Sequence, residues 1–191
     1  MELMVNQDII RWNRNTGRRV LSNLGIEPGN HVLDLGCREG RYAVIAAELV
    51  SRFGKVYAVD RDVESINRLK AICKQRNLTH LFPVCTDFFD KWPFGKCTMD
   101  VVLLFDVVHG VYFPRSRQRE ILFNRVYETL KPGGRLLLYP THVRKHGPPA
   151  SLLRSEINRS GLVEEDCARR VVLHDQKLVR GNTYCYLRPH K

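Results

Sequence analysis

The stretch Val32-Leu33-Asp34-Leu35-Gly36-Cys37-Arg38-Glu39-Gly40 decides how this chain folds. It opens as an apolar run of strand length and closes on a pair of glycines. Beyond Gly40 the spacing becomes helical, with Ala43, Ala46, Ala47 and Val50 available to pack on a sheet. A strand that passes through a glycine turn into a helix is the first half of a βαβ unit. His31 to Leu35 is therefore read as a strand, and residues 40–52 as the helix behind it.

The same alternation continues outward. Val56 to Val59 reads as a second strand. Asp62 can cap the next helix, with Glu64 in its first turn favouring the positive helix end. Leu81 to Cys85 is a short third strand. Val101 to Phe105 is an unbroken apolar run, the pattern of a strand buried on both faces. A helix over 115–130 follows. Lys131-Pro132-Gly133-Gly134 is read as a tight turn, and Leu136 to Tyr139 as the strand after it.

Upstream, residues 7–24 have an amphipathic helical pattern, weakened by Gly17, and Glu27 to Asn30 form a turn. Downstream, a helix over 149–160 is stopped by Gly161. Val171 to His174 and Thr183 to Leu187 are read as a closing hairpin, joined by the seven residues 176–182. The pattern predicts an α/β sandwich of three layers, with a mostly parallel sheet and helices on both faces. One domain is expected over 1–191: a helical segment over 1–29, a cofactor-binding core over 30–140, and a C-terminal helix and hairpin over 141–191.

At 191 residues and 43% hydrophobic, the chain can bury the core such a domain needs. Its net charge of +11 favours contact with an anion: nucleic acid, an anionic small molecule or a membrane surface. The basic residues fall in scattered clusters, Arg18-Arg19, Arg115-x-Arg117-x-Arg119, Arg144-Lys145 and Arg169-Arg170. We read them chiefly as solvated surface rather than one nucleic-acid face. Six cysteines occur without C-x-x-C spacing, which suits reduced thiols in a cytoplasmic protein. Met1-Glu2-Leu3-Met4 does not resemble a signal peptide, and no apolar run has the length of a bilayer span.

In an open parallel sheet, ligands bind outside the carboxyl ends of the strands. Four acids are expected there: Asp34, Asp60, Asp87 and Asp106. Acids suit a cationic or hydroxyl-rich ligand and oppose a pyrophosphate. The glycine spacing also departs from G-x-G-x-x-G, and Glu39 stands in the helix entry. Both features argue against a nucleotide-binding oxidoreductase. S-adenosylmethionine offers a sulfonium, an ammonium, ribose hydroxyls and an adenine amine, with no phosphate. Asp60 could hold its ribose hydroxyls, and Asp87 could accept from its adenine amine.

These stretches, together with Val59-Asp60, Thr86-Asp87-Phe88, Asp100 through His109 and Leu130 through Gly134, resemble the class I S-adenosylmethionine-dependent methyltransferases. Within that family the chain resembles most the small-molecule branch of ubiquinone and menaquinone biosynthesis. The resemblance covers about residues 30–140. It implies a Rossmann-like, seven-stranded sheet with the last strand antiparallel. It also implies that Asp34, Gly36 and Gly40 line the methionine end of the cofactor, Asp60 the ribose, Asp87 and Phe88 the adenine, and Phe105 the wall near the sulfonium. Cys37, Arg38 and Arg61 complete the expected cofactor-binding set. Arg38 departs from the family, which usually has glycine there. Its side chain could swing outward, meet the cofactor carboxylate, or weaken binding.

Methyl transfer from a sulfonium is an in-line displacement in which the protein mainly positions the acceptor and excludes water. A general base helps only if the acceptor must lose a proton. The acceptor-side candidates are His109 first, then Asp106, Tyr112 and His142. His174 is read as a strand residue. Phe105-Asp106-Val107-Val108-His109 lacks the prolines of nucleic-acid amino methyltransferases, and Tyr139-Pro140-Thr141-His142 lacks the Asp-Asn pair of metal-dependent relatives. No metal is therefore expected. The expected function is methyl transfer to a small-molecule acceptor, with an anionic one compatible with the charge. Two alternatives stay open: an RNA methyltransferase, and a non-catalytic cofactor-binding protein of the same fold.

Overall fold

Strand β4 (Met99–Phe105) carries the core, because its side chains alternate between two apolar clusters. Val101, Leu103 and Phe105 enter one cluster; Val102 and Leu104 enter the other. Each fully buried side chain of this kind contributes roughly 1.5–3 kcal/mol. The structure is a computed structural model that describes residues 6–89, 92–141 and 147–190.

β4 lies in a seven-stranded sheet with β1 (His31–Leu35), β2 (Lys55–Asp60), β3 (Leu81–Cys85), β5 (Leu130–Tyr139), β6 (Val163–His174) and β7 (Lys177–Leu187). The order is β3-β2-β1-β4-β5-β7-β6. The first five strands are parallel, and β7 runs antiparallel to both neighbours, β5 and β6. The order reverses between β1 and β4, which opens a crevice at their carboxyl ends.

Helices α2 (Gly17–Asn23), α3 (Ala43–Val50) and α4 (Val63–Gln75) pack on one face. Helices α5 (Ser116–Thr129) and α6 (Ala150–Arg159) pack on the other. A short α1 (Gln7–Arg11) runs through a π turn at Trp12–Thr16 into α2. Gly17 is no weak point there, because a Cβ would sit 2.3 Å from Ile45 Cδ1. Asp62 caps α4 as expected, accepting from the amides of Glu64 and Ser65.

Several expectations need correction. The helix expected over 40–52 begins at Ala43 and tightens to a 3-10 turn at Ser51–Phe53. Lys131 to Gly134 does not separate a helix from a strand. It bulges within β5, whose pairing with β4 jumps from Met99↔Leu130 to Val101↔Arg135. The Gly133 amide donates to the Arg188 carbonyl at 2.8 Å, so the ladder continues past it. The hairpin connection is Asp175-Gln176 rather than 176–182. Both residues take positive φ, 44° and 65°, the backbone of a tight hairpin turn. Gly181 belongs to β7, where a Cβ would lie 2.3 Å from the Tyr139 ring.

Arg119 is not solvated surface. It is 4% exposed and pairs with Glu156, itself 3% exposed, through Nε at 2.6 Å and Nη2 at 2.8 Å. Its Nη1 donates to the Phe113 carbonyl, which ties α5 and α6 to the loop after β4. Among the described residues no helix is long and apolar enough to cross a membrane.

Candidate active site

The loop after β1 is shaped by close packing. Gly36 has φ 79° and Gly40 has φ 78°. A Cβ would lie 2.5 Å from Val107 Cγ2 at the first and 2.4 Å from Leu69 Cδ1 at the second. Only glycine fits both the backbone and the space. Between them Arg38 takes φ 47°, the left-handed conformation that a glycine would adopt freely. Its side chain is exposed, and its amide donates to Asp60 Oδ2 at 2.8 Å.

Asp60 ends β2, and its carboxylate organises the rim. Oδ1 accepts from the Asp62 amide at 2.9 Å while Oδ2 holds Arg38. Each carboxylate oxygen has two acceptor sites, so one remains on each. Asp87 follows β3 and accepts from the Phe89 amide at 2.9 Å. Arg61 lies 3.9 Å from Asp87 Oδ2 and over the Tyr112 ring at 5.1 Å, spanning that end of the cleft.

Asp34 sits deeper, 3% exposed on β1. Its Oδ2 has no hydrogen-bond partner among the described residues. Burial, and secondarily the charge of Asp60, push its carboxyl up to about 7, although the Ala43 amide pulls the other way. Cys37 is buried, and burial together with these two acids holds its thiol well above the ordinary range.

Beyond β4 the chain turns sharply at Asp106, which has φ 61°. The Asp106 amide donates to the Tyr139 carbonyl at 2.9 Å. Its Oδ1 accepts from the Thr141 hydroxyl, and its Oδ2 lies 2.7 Å from His174 Nδ1. Phe105 packs edge-on against Tyr42 and Tyr139. Phe88 stacks on Phe113. His109 lies 4.4 Å from the Tyr112 ring, and its Nδ1 accepts from the Val111 amide at 3.4 Å.

These elements surround a cleft of about 680 Å³ at the carboxyl edge of the sheet. Of the residues singled out from sequence, Gly36, Arg38, Asp60, Arg61, Asp87, Phe88, Phe105, Asp106, His109 and Tyr112 line it. Asp34, Cys37 and Gly40 do not line it; they lie behind its wall, and all three are buried. His142 lies outside the described residues.

The cleft also takes residues that the sequence reading passed over: His174 and Asp175 at the hairpin tip, Asp62 and Ser65 at the start of α4, and Phe113. The one sequence signal for His174 was its position at the end of an apolar run, as with the acids of β1 to β4. Among the described residues, Asp106, His174 and Asp175 also form the one grouping whose possible metal-ligand atoms all lie within 4.8 Å of one another.

The profile of the methyltransferase domain family matches residues 32–134. A local match, 45% identical over 47 residues, joins the chain to the Saccharolobus solfataricus protein named "Probable cobalt-precorrin-6B C(15)-methyltransferase (decarboxylating)". It covers 25% of this chain and only 24% of that relative. An S-adenosylmethionine-dependent methyltransferase from Aquifex aeolicus superposes with a TM-score of 0.70 at 18% identity, over 96% of this chain and 98% of the other. A methyltransferase solved in complex with the Haloferax volcanii Trm112 activator gives 0.71 at 15% identity, over 98% and 100%. These two structures share the fold.

Proposed function

We propose, from the premise that this chain belongs to the methyltransferase domain family, that it transfers the methyl group of S-adenosylmethionine to a small, uncharged acceptor in the cleft. S-adenosylmethionine is the cofactor of this fold's methyltransferases. The residues present fit it. Asp60 keeps two acceptor sites for the ribose hydroxyls. Asp87, Phe88 and Phe105 line the cleft; Asp87 and Phe88 would suit an adenine, and Phe105 would suit a wall near the sulfonium. Asp34 Oδ2, buried behind the cleft wall without a partner among the described residues, would favour the positive charge of the cofactor's methionine end through that wall. When bound, the cofactor supplies an activated methyl group; the chain orients it and excludes water.

The observation that carries this reading is the rim itself: Asp60, Asp87 and Asp106, from the ends of three strands, meet in one cleft. Arg38 does not disturb it, because its backbone takes the glycine-like conformation and its side chain is exposed. That supports a binding-competent site over one that lost its cofactor.

The same lining favours a small neutral acceptor over RNA. Asp60, Asp62, Asp87, Asp106 and Asp175 stand against Arg38 and Arg61, a balance that opposes phosphate and other anions. The chain's net charge of +11 therefore comes from residues outside this lining, which is itself acidic on balance. Calorimetric titration with S-adenosylmethionine and with S-adenosylhomocysteine tests the cofactor. Saturable binding of both is expected, and failure of both to bind overturns the reading. RNA binding measured at low salt tests the acceptor class; tight binding that weakens steeply with salt would replace the small molecule by RNA.

A further inference from the structure

Strand β6 ends the sheet, so one row of its backbone groups has no strand beside it. Its hairpin end is closed. The Tyr42 hydroxyl donates to the Leu173 carbonyl at 2.8 Å and accepts from the Leu173 amide at 2.9 Å. Asn6 Nδ2 donates to the Gln176 carbonyl at 3.0 Å, and Asp8 Oδ2 accepts from the Leu178 amide at 3.1 Å. The pairing of β6 with β7 runs without irregularity from Asp166↔Cys185 to His174↔Lys177. In such a ladder every second residue turns both backbone groups outward. Leu173 does so toward Tyr42, so Val171, Arg169 and Cys167 do so along the open part of the edge.

The side chains there reverse sign at the midpoint. Glu164-Glu165-Asp166 is followed by Cys167-Ala168 and then by Arg169-Arg170. An edge guarded against pairing carries charge that repels a copy of itself. This one, laid antiparallel on its own copy, sets acids beside arginines. Asp166, Ala168 and Arg170 share one face: Arg170 pairs with Asp166 across the small Ala168, and its Nη1 donates to Thr183 Oγ1 at 2.8 Å.

Backbone bonds between two such edges need outward residues opposite outward residues, so near the midpoint a two-fold axis can pass at Cys167, Ala168 or Arg169. At Arg169 it sets that arginine against itself. At Cys167 it sets Asp166 against Ala168, and Arg169 against Glu165, the bulge residue that Arg135 Nε holds on the opposite face at 2.7 Å. At Ala168 it sets Asp166 directly against Arg170, twice and on one face.

We propose that this protein forms a two-fold dimer in which β6 pairs antiparallel with β6 of a second copy, centred on Ala168, with Asp166 opposite the partner's Arg170. The inference does not depend on the methyltransferase reading. Within one chain the Asp166–Arg170 bridge spans a full turn of four residues along the strand. Across the dimer the same groups stand on facing Cα positions about 4.5 Å apart. The dimer also braces the strand that carries His174 to the cleft. The ladder is short, so half-association is expected on the order of 10–100 µM.

Sedimentation of the full chain from about 1 µM to 1 mM tests this. Wild type is expected to pass from monomer to dimer. Asp166→Arg and Arg170→Asp should each weaken the dimer by at least about tenfold, because each sets like charges together twice. Mixed one to one, the two variants are expected to dimerise again, since every facing pair is then opposite in sign. Ala168→Cys, made together with Cys167→Ser, is expected to form a disulfide with its own copy on oxidation, located by mass spectrometry. A wild type that stays monomeric overturns the proposal. So does a dimer indifferent to both charge reversals, or a mixture of folded variants that stays monomeric. Should a reversal unfold the chain, the disulfide decides, and its absence overturns the proposal.

Discussion

The amide of Arg38 donates to Asp60 Oδ2 at 2.8 Å, so the loop after β1 and the end of β2 are joined through a residue in left-handed conformation. A side chain at such a φ costs roughly 1–2 kcal/mol relative to glycine. Part of that is returned because glycine has more freedom to lose on folding. Arg38→Gly is therefore expected to raise stability by up to about 1 kcal/mol in urea titration. It should change S-adenosylmethionine affinity by less than about tenfold. A variant that binds where wild type does not would mean that Arg38 disables the site.

Asp34 links stability to pH. Its carboxyl lies at about 7 in the folded chain against an ordinary 3.8. Between those values the folded chain holds a proton that the unfolded chain has released. This group's stabilisation is thus full below the lower value and is lost as pH rises toward the higher one. Asp34→Asn removes the loss. Its thermal advantage over wild type should grow through that window, reaching on the order of a few kcal/mol on the alkaline side. The same variant should bind S-adenosylmethionine at least about tenfold more weakly. A melting difference that does not vary with pH would show that Asp34 does not titrate in this range.

Arg119 and Glu156 form a buried pair whose rupture leaves one charge stranded. Burial pushes the Glu156 carboxyl up, and hydrogen bonds from Arg119 and Ser116 more than offset it, so the group lies below its ordinary value. Its contribution is present above the unfolded value and is lost in acid as pH falls through the folded one. Arg119→Ala should cost about 3–5 kcal/mol in chemical denaturation. Replacing both partners with leucine should restore much of that. A single variant within error of wild type would contradict the burial seen here.

Tyr42→Phe removes a hydroxyl that satisfies both backbone groups of Leu173 on the open edge of β6. Burial holds this phenol well above its ordinary 10.0, so it remains a donor at working pH. The loss should cost roughly 1–3 kcal/mol. Hydrogen exchange should accelerate at the Leu173 amide more than in the core strands. Unchanged exchange there would show that the tip is held without Tyr42.

The readable parts of the fold were those written locally. β1 appears over His31–Leu35 as expected, and Asp62 caps α4, because strand length and capping chemistry depend on a few neighbouring residues. Asp60 and Asp87 reach the cleft for a related reason: they end strands that the apolar runs already placed. The hairpin turn is hidden in the sequence because Gly181-Asn182 carries the stronger turn composition, while Gln176 carries little. Arg119 reads as surface from the sequence because its partner lies 37 residues away. His174 reads as a plain strand residue because Asp106 lies 68 residues distant, and no periodicity encodes that contact. Burial beneath the rim, as at Asp34, is likewise a property of packing between elements.

The clasp between Asn6, Asp8 and the hairpin tip spans 170 residues of sequence. Vectorial synthesis exposes the first half of that clasp long before the ribosome makes the second. A nascent chain can therefore assemble its parallel strands early, but cannot set the His174 side of the cleft until the last two strands arrive.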